Sequence, residues 1–273
     1  MDTAALVRRA LEEDLGSGDV TSGSLLEGDE KGAGRVFAKS ELVVAGIDVF
    51  REVFHARDAG IRLEALTADG ERLKPGNDIA RISGSLRSIL EAERTALNFL
   101  QRMCGIATMT ARFVQAAGES GARILDTRKT TPGLRVLEKH AVRVGGGLNH
   151  RFGLDRGVLI KENHITAVGG ITEAVIRVRK AAPPTFTVEV EVRNMDEVRE
   201  AVECGADIIM LDNMNRDEQA EAVKLIAKRA LVEASGNVTL ETVRDIAETG
   251  VDFISVGALT HSAPAADISL VLE

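Results

Sequence analysis

From residue 123 onward, short apolar runs alternate with amphipathic stretches. Arg123-Ile-Leu-Asp-Thr, Val158-Leu-Ile-Lys, Phe186-Thr-Val-Glu-Val-Glu, Ile208-Ile-Met-Leu-Asp, Leu231-Val-Glu-Ala-Ser and Phe253-Ile-Ser-Val-Gly each run into polar residues and then a helical stretch. Their spacing, roughly 20 to 35 residues, suits repeated βα units. Six such units predict an incomplete, open parallel α/β barrel, with an open doubly wound sheet as the alternative. The first βα turn has no GxGxxG pattern, which weakens a dinucleotide-binding reading.

The first third has a different rhythm. Thr3 to Leu15 carries apolar residues at helical spacing and stops at Gly16; Gly16 to Ser22 reads as a turn. Strands are expected near 35–38, 42–45, 62–66, 71–73 and 79–83, with a helix over 46–56. Leu86 to Met103 and Ile106 to Ala117 read as two helices interrupted at Gly105. These signals read as a helix-and-antiparallel-sheet unit over residues 1–105, followed by a barrel domain over 106–263.

Composition narrows the classes. The 273 residues are 44% hydrophobic and 28% charged, with no Trp, no Tyr and eight Phe, so the core must be aliphatic. The formal net charge of -8 argues against a nucleic-acid or membrane-surface role. It does not exclude small anionic substrates, which respond to local charge. Cys104 and Cys204 lack metal-type spacing and read as packing residues. Met1 to Leu15 has no apolar signal core, and no run is apolar for the roughly 20 residues of a membrane span, so a cytoplasmic protein is expected.

In barrels, chemistry sits at the C-terminal strand ends. Here these ends read Asp126-Thr-Arg-Lys-Thr, Lys161-Glu-Asn-His, Glu189-Val-Glu191, Asp212-Asn213, Ser235-Gly-Asn237 and Gly257-Ala258. Arg128, Lys129 and Lys161 bring positive charge, with His150 and Arg151 nearby. Glu191 and Asp212 bring carboxylates. The Gly-bearing ends suit a phosphate held by backbone N–H groups. Guanidinium forks suit carboxylate or phosphate, and paired carboxylates beside a phosphate suit Mg²⁺ or ribose hydroxyls. A lone strand-end Lys or Arg is more often a surface charge; six polar or small ends together are harder to dismiss. Strand alternation puts Glu189 and Glu191 on one face, where one of them could simply neutralise a lysine.

These residues carry a resemblance over nearly the whole chain. Glu93-Arg-Thr-Ala-Leu-Asn98, Asp126-Thr-Arg-Lys-Thr-Thr-Pro-Gly-Leu-Arg135, Gly145-Gly-Gly-Leu-Asn-His-Arg-Phe-Gly-Leu154, Ile160-Lys-Glu-Asn-His164, Glu233-Ala-Ser-Gly236 and Ser255-Val-Gly-Ala-Leu-Thr-His261 resemble the quinolinate phosphoribosyltransferases, or carboxylating nicotinate-nucleotide pyrophosphorylases. The resemblance implies transfer of a phosphoribosyl group from phosphoribosyl pyrophosphate to quinolinate with decarboxylation, in NAD biosynthesis. It also implies an N-terminal α/β sandwich domain on which the tail, 264–273, packs back, an incomplete (open) barrel, Mg²⁺ held by Glu191 and Asp212, and a homodimer with shared sites. Arg128, His150, Arg151 and Lys161 would line the quinolinate pocket, with Arg94 supplied from the neighbouring subunit. Lys129, Thr130, Glu191, Asp212, Ser235, Gly236, Asn237, Val256, Gly257, Ala258 and His261 would hold phosphoribosyl pyrophosphate, with Lys161 shared. Lys129, Lys161, Glu191 and Asp212 would take part in catalysis.

The chain departs from the family pattern in small ways. His140 stands where an aromatic residue often follows Glu-Lys, and Asn237 stands where a second Gly is common. Three other readings compete: a sister family linked to molybdenum transport, a Schiff-base aldolase using Lys161, and a non-catalytic quinolinate-binding protein. Retention of Arg94, Arg128, His150, Arg151 and Lys161 favours the transferase.

Overall fold

The computed structural model describes residues 2–273. In chain order its elements begin α1 (Thr3–Leu15), α2 (Val20–Leu25), β1 (Lys31–Ala38), β2 (Leu42–Val43), α3 (Ile47–Arg57), β3 (Arg62–Ala65), β4 (Arg72–Leu73), β5 (Asp78–Ser85), α4 (Leu86–Ala117), β6 (Arg123–Leu125) and α5 (Arg135–Val144). They continue β7 (Val158–Ile160), α6 (Glu162–Val168), α7 (Ile171–Ala181), β8 (Val188–Val192), α8 (Met195–Glu203), β9 (Ile208–Asp212), α9 (Arg216–Ile226), β10 (Leu231–Ser235), α10 (Val243–Ala247), β11 (Phe253–Ser255), α11 (Ala258–His261) and β12 (Ile268–Leu272).

Two compact units form. The first comprises the chain up to Ala111, Thr130–Gly146 and Ser262–Glu273; the second comprises Arg112–Lys129 and Gly147–His261. The division is thus drawn differently from the sequence boundary at 105/106. The helix interruption expected at Gly105 is absent: α4 runs through it. A Cβ at Gly105 would sit 2.0 Å from the Pro264 carbonyl oxygen, so the glycine serves close approach by the C-terminal segment rather than helix termination. A second correction lies at Gly16–Ser22. Asp19 accepts hydrogen bonds from the Thr21 and Ser22 N–H groups and starts α2, because a capping carboxylate satisfies amides a helix leaves orphaned.

The first unit holds an antiparallel sheet in the order β12-β1-β5-β3. The tail enters it as β12, whose Ile268 to Leu272 pair with Ala38 to Gly34 of β1. Phe50 and Phe54 of α3 meet edge to face at 5.2 Å in a mostly aliphatic core. His140, the first departure from the family pattern, bonds Asp69 at 2.8 Å. Asp69 in turn accepts from the Gly46 and Ile47 amides at the start of α3. Cys104 is fully buried, and burial pushes its thiol up to about 12, in keeping with a packing role.

The second unit is the open barrel. Its six strands are all parallel, in the order β6-β11-β10-β9-β8-β7. Among the described residues β6 and β7 do not pair, so the sheet does not close. A bridge from Leu148 to Leu125 lies beside β6 instead. Parallel pairing brings all six strand C-termini to one end, where the loops carry the polar residues. No helix among the described residues is long and apolar enough to cross a membrane.

Candidate active site

A cavity of about 640 Å³ opens at that end of the second unit, a size suited to a nucleotide-like substrate. Arg128, Lys129, His150, Arg151, Lys161, Glu191, Asp212, Ser235, Gly236, Asn237, Gly257, Ala258 and His261 all line it. Arg94, Thr130 and Val256 do not. Arg94 is exposed on α4 of the first unit. The Thr130 hydroxyl accepts from Arg135 Nε at 2.9 Å. Val256 is buried, its N–H donating to the Leu125 carbonyl, so it serves the sheet.

Local chemistry sets each side chain. Asp126, just after β6, is fully buried and accepts from the His150 N–H at 2.9 Å and the Asn149 amide at 2.7 Å. It thereby anchors the loop that carries His150 and Arg151. The Arg151 N–H donates to His150 Nδ1 at 2.8 Å, which leaves His150 Nε2 as the ring donor, 3.1 Å from Glu189 Oε2. Arg151 donates one guanidinium N–H to the Gly157 carbonyl at 3.0 Å, while its buried Nε has no partner. Burial pulls the Arg151 guanidinium below its usual value, and the Arg128 charge beside it pulls the same way, partly offset by Glu189. Two guanidinium groups that line one cavity and disfavour each other's charge make a strong site for a multiply charged anion.

Lys161 follows β7 and donates to Glu191 on β8. Its N–H donates to His164 Nδ1 at 2.9 Å, fixing the start of α6. Opposite, the Thr260 hydroxyl donates to the Lys129 carbonyl at 2.8 Å. A Cβ at Gly257 would come within 3.1 Å of both Lys129 Cδ and His261 Nε2, so glycine lets these two side chains lie against the backbone.

Sequence reasoning missed Glu189 and Glu233 as members of one cluster. Both are buried, and their ligand atoms and that of His150 lie within 4.8 Å of one another. Burial first, then the neighbouring Glu189 charge, pushes the Glu233 carboxyl up to about 8, so it keeps its proton near neutrality. Glu189 Oε1 and Glu233 Oε1 are buried without hydrogen-bond partners. The three ligand atoms are close enough for a metal, but a proton already held among them and the imidazole donor suit proton sharing better than Mg²⁺, which favours oxygen ligands and water. The signal available in the sequence was spacing: Glu189 and Glu233 stand two residues before Glu191 and Ser235, on the same strand faces.

An open parallel barrel with arginines, lysines and small backbone turns around one cavity defines an enzyme acting on phosphorylated anions. Comparison with known proteins makes this specific. The family model for the quinolinate phosphoribosyl transferase C-terminal domain matches residues 106–271, and that for its N-terminal domain matches residues 19–104. A probable nicotinate-nucleotide pyrophosphorylase [carboxylating] of Bacillus subtilis is 45% identical over 258 residues, spanning 94% of this chain and 89% of that protein. The crystal structure of NadC from Streptococcus pyogenes superposes with a TM-score of 0.95 at 43% identity, covering 98% of this chain and 95% of that one. The nicotinate-nucleotide pyrophosphorylase structure from Ehrlichia chaffeensis gives 0.96 at 38% identity, covering 100% and 99%. The chain belongs to the quinolinate phosphoribosyltransferase family.

Proposed function

We propose that this enzyme transfers the phosphoribosyl group of phosphoribosyl pyrophosphate to quinolinate and releases pyrophosphate and CO₂, forming nicotinate mononucleotide. The observation that carries the reading is one cavity lined both by Arg128 and Arg151 and by the glycine-bearing turn at Ser235–Asn237. Quinolinate is a dianion, and the two guanidinium groups, with Lys161, offset its charge once water is excluded. Lys129, His261 and the turns at Gly236 and Gly257 take the phosphates.

The quinolinate nitrogen bonds to C1 of the ribose as pyrophosphate leaves. Positive charge builds on the sugar, and the Glu191 carboxylate, oriented by Lys161, stabilises it. Lys129 stabilises the departing pyrophosphate. The pyridinium nitrogen then accepts the electron pair as the 2-carboxylate departs as CO₂, and a proton fills C2. Asp212 offers Mg²⁺ an oxygen donor at a strand end beside the phosphate turns. Glu191, engaged by Lys161, is a weaker candidate, and an ion held by one carboxylate and substrate phosphates is ordinary for magnesium. When bound, the ion neutralises phosphate charge. The working assembly is a cytoplasmic homodimer in which Arg94 enters the partner's quinolinate pocket.

The test is an assay with quinolinate, phosphoribosyl pyrophosphate and Mg²⁺, following CO₂ and nicotinate mononucleotide, with nicotinate as the poor-substrate control. Arg128→Ala is expected to raise the KM for quinolinate about tenfold or more, the cost of a charge-assisted pair, while phosphoribosyl pyrophosphate binding persists. Equal loss of both affinities would contradict the assignment.

A further inference from the structure

Asn213 follows β9 and Asn237 follows β10, the neighbouring strand. Both take left-handed backbones, with φ of 56° and 50°, a conformation that few L-residues besides asparagine and aspartate tolerate. Asn237 Nδ2 donates to Asn213 Oδ1 at 3.0 Å, and the Asn213 N–H donates to the Ser235 carbonyl at 2.9 Å. Between them Gly236, with φ 99°, leaves the space that the Asn213 side chain uses. A Cβ there would lie 2.3 Å from Asn213 Oδ1 and 3.0 Å from the Asn213 nitrogen. Two bonds and one cradle thus join the ends of two strands.

We propose that Asn213 and Asn237 form a clasp that presets the Ser235–Gly236–Asn237 turn for a phosphate group of phosphoribosyl pyrophosphate. Both are positioning residues: Asn213 holds the turn from the next strand, and Asn237 acts through Asn213. The proposal rests on the reading of this turn as a phosphate cradle. Successive backbone N–H groups in a tight turn can face one side, the arrangement that binds anions. Such a turn is useful only if it is held before the anion arrives, because ordering it afterwards subtracts from affinity. A second glycine at 237 would adopt the same φ but supply no side chain to hold it.

Asn213→Gly and Asn237→Gly both keep the left-handed backbone accessible and remove the side-chain bond. Each is expected to raise the KM for phosphoribosyl pyrophosphate about three- to tenfold, the scale of one lost hydrogen bond, with kcat and the KM for quinolinate little changed. Because the bond needs both partners, the double variant is expected to be no worse than the worse single one. Additive effects would mean that glycine merely loosens the loop, and unchanged KM or equal rises for both substrates would likewise overturn the clasp. Amide shifts of Gly236 and Asn237 on titration of the full-length protein with phosphoribosyl pyrophosphate separate the two layers. Shifts together with the KM pattern support the proposal. Shifts without it leave the cradle standing and remove the clasp. Absence of shifts removes the cradle and the clasp with it.

Discussion

Glu233 is the residue whose surroundings most alter its chemistry. Its carboxyl is buried beside Glu189, with His150 Nε2 at 3.9 Å, and is pushed up to about 8. The sign follows from linkage. Between its ordinary value near 4.5 and about 8, the unfolded chain has lost this proton while the folded chain keeps it, so the residue subtracts stability as pH rises through that window. Glu233→Gln mimics the neutral acid and removes the penalty. Its melting temperature relative to the parent is expected to climb between pH 5 and pH 8, by about 2 °C or more for a chain of this size. A difference that stays flat with pH would show that the acid is not protonated in the fold. Arg151, beneath the same pocket, shows the converse arrangement: a cation disfavoured by burial and by Arg128, which an incoming dianion relieves.

At the scale of elements, α4 sets two effects against each other. Alanine at position 105 would improve helix propensity by about 1 kcal/mol over glycine. Its Cβ would also strike the Pro264 carbonyl at 2.0 Å, and a backbone group cannot swing aside as a side chain can. Steric overlap should win, and Gly105→Ala is expected to lower stability by about 2 kcal/mol net, read as a reduced urea midpoint. An unchanged or raised midpoint would mean that the C-terminal segment yields easily. The helix also shows what periodicity could convey. Apolar spacing predicted helix on both sides of Gly105, and only the packing of Pro264 reveals that the glycine is a contact rather than a stop.

At the scale of the whole molecule, Arg94 is the informative one of the three expected site residues that lie outside the cavity. Arg94 is exposed on α4 of the first unit. If it completes the partner's pocket, mixing inactive Arg94→Ala with inactive Lys161→Ala chains should restore part of the activity, because some hybrid dimers contain one intact site. No recovery despite demonstrated subunit exchange would argue that each chain works alone.

Local patterning set most of the elements and their order, though not α2 or the unbroken α4. Six apolar runs at βα spacing are local facts, written in side-chain alternation and turn residues, and the strand-end residues Arg128, Lys161, Glu191, Asp212 and Ser235 follow from where those runs stop. Tertiary structure decided what meets what. His150, Glu189 and Glu233 converge from three loops and strands, Asn213 reaches across to Asn237, and the 130–146 segment joins the first unit. None of these is legible along the chain, because parallel strands are placed beside one another by long-range packing of the helices between them. Juxtaposition across that packing, not local preference, is what brings the buried carboxyls together, raises the Glu233 carboxyl and aligns the turn.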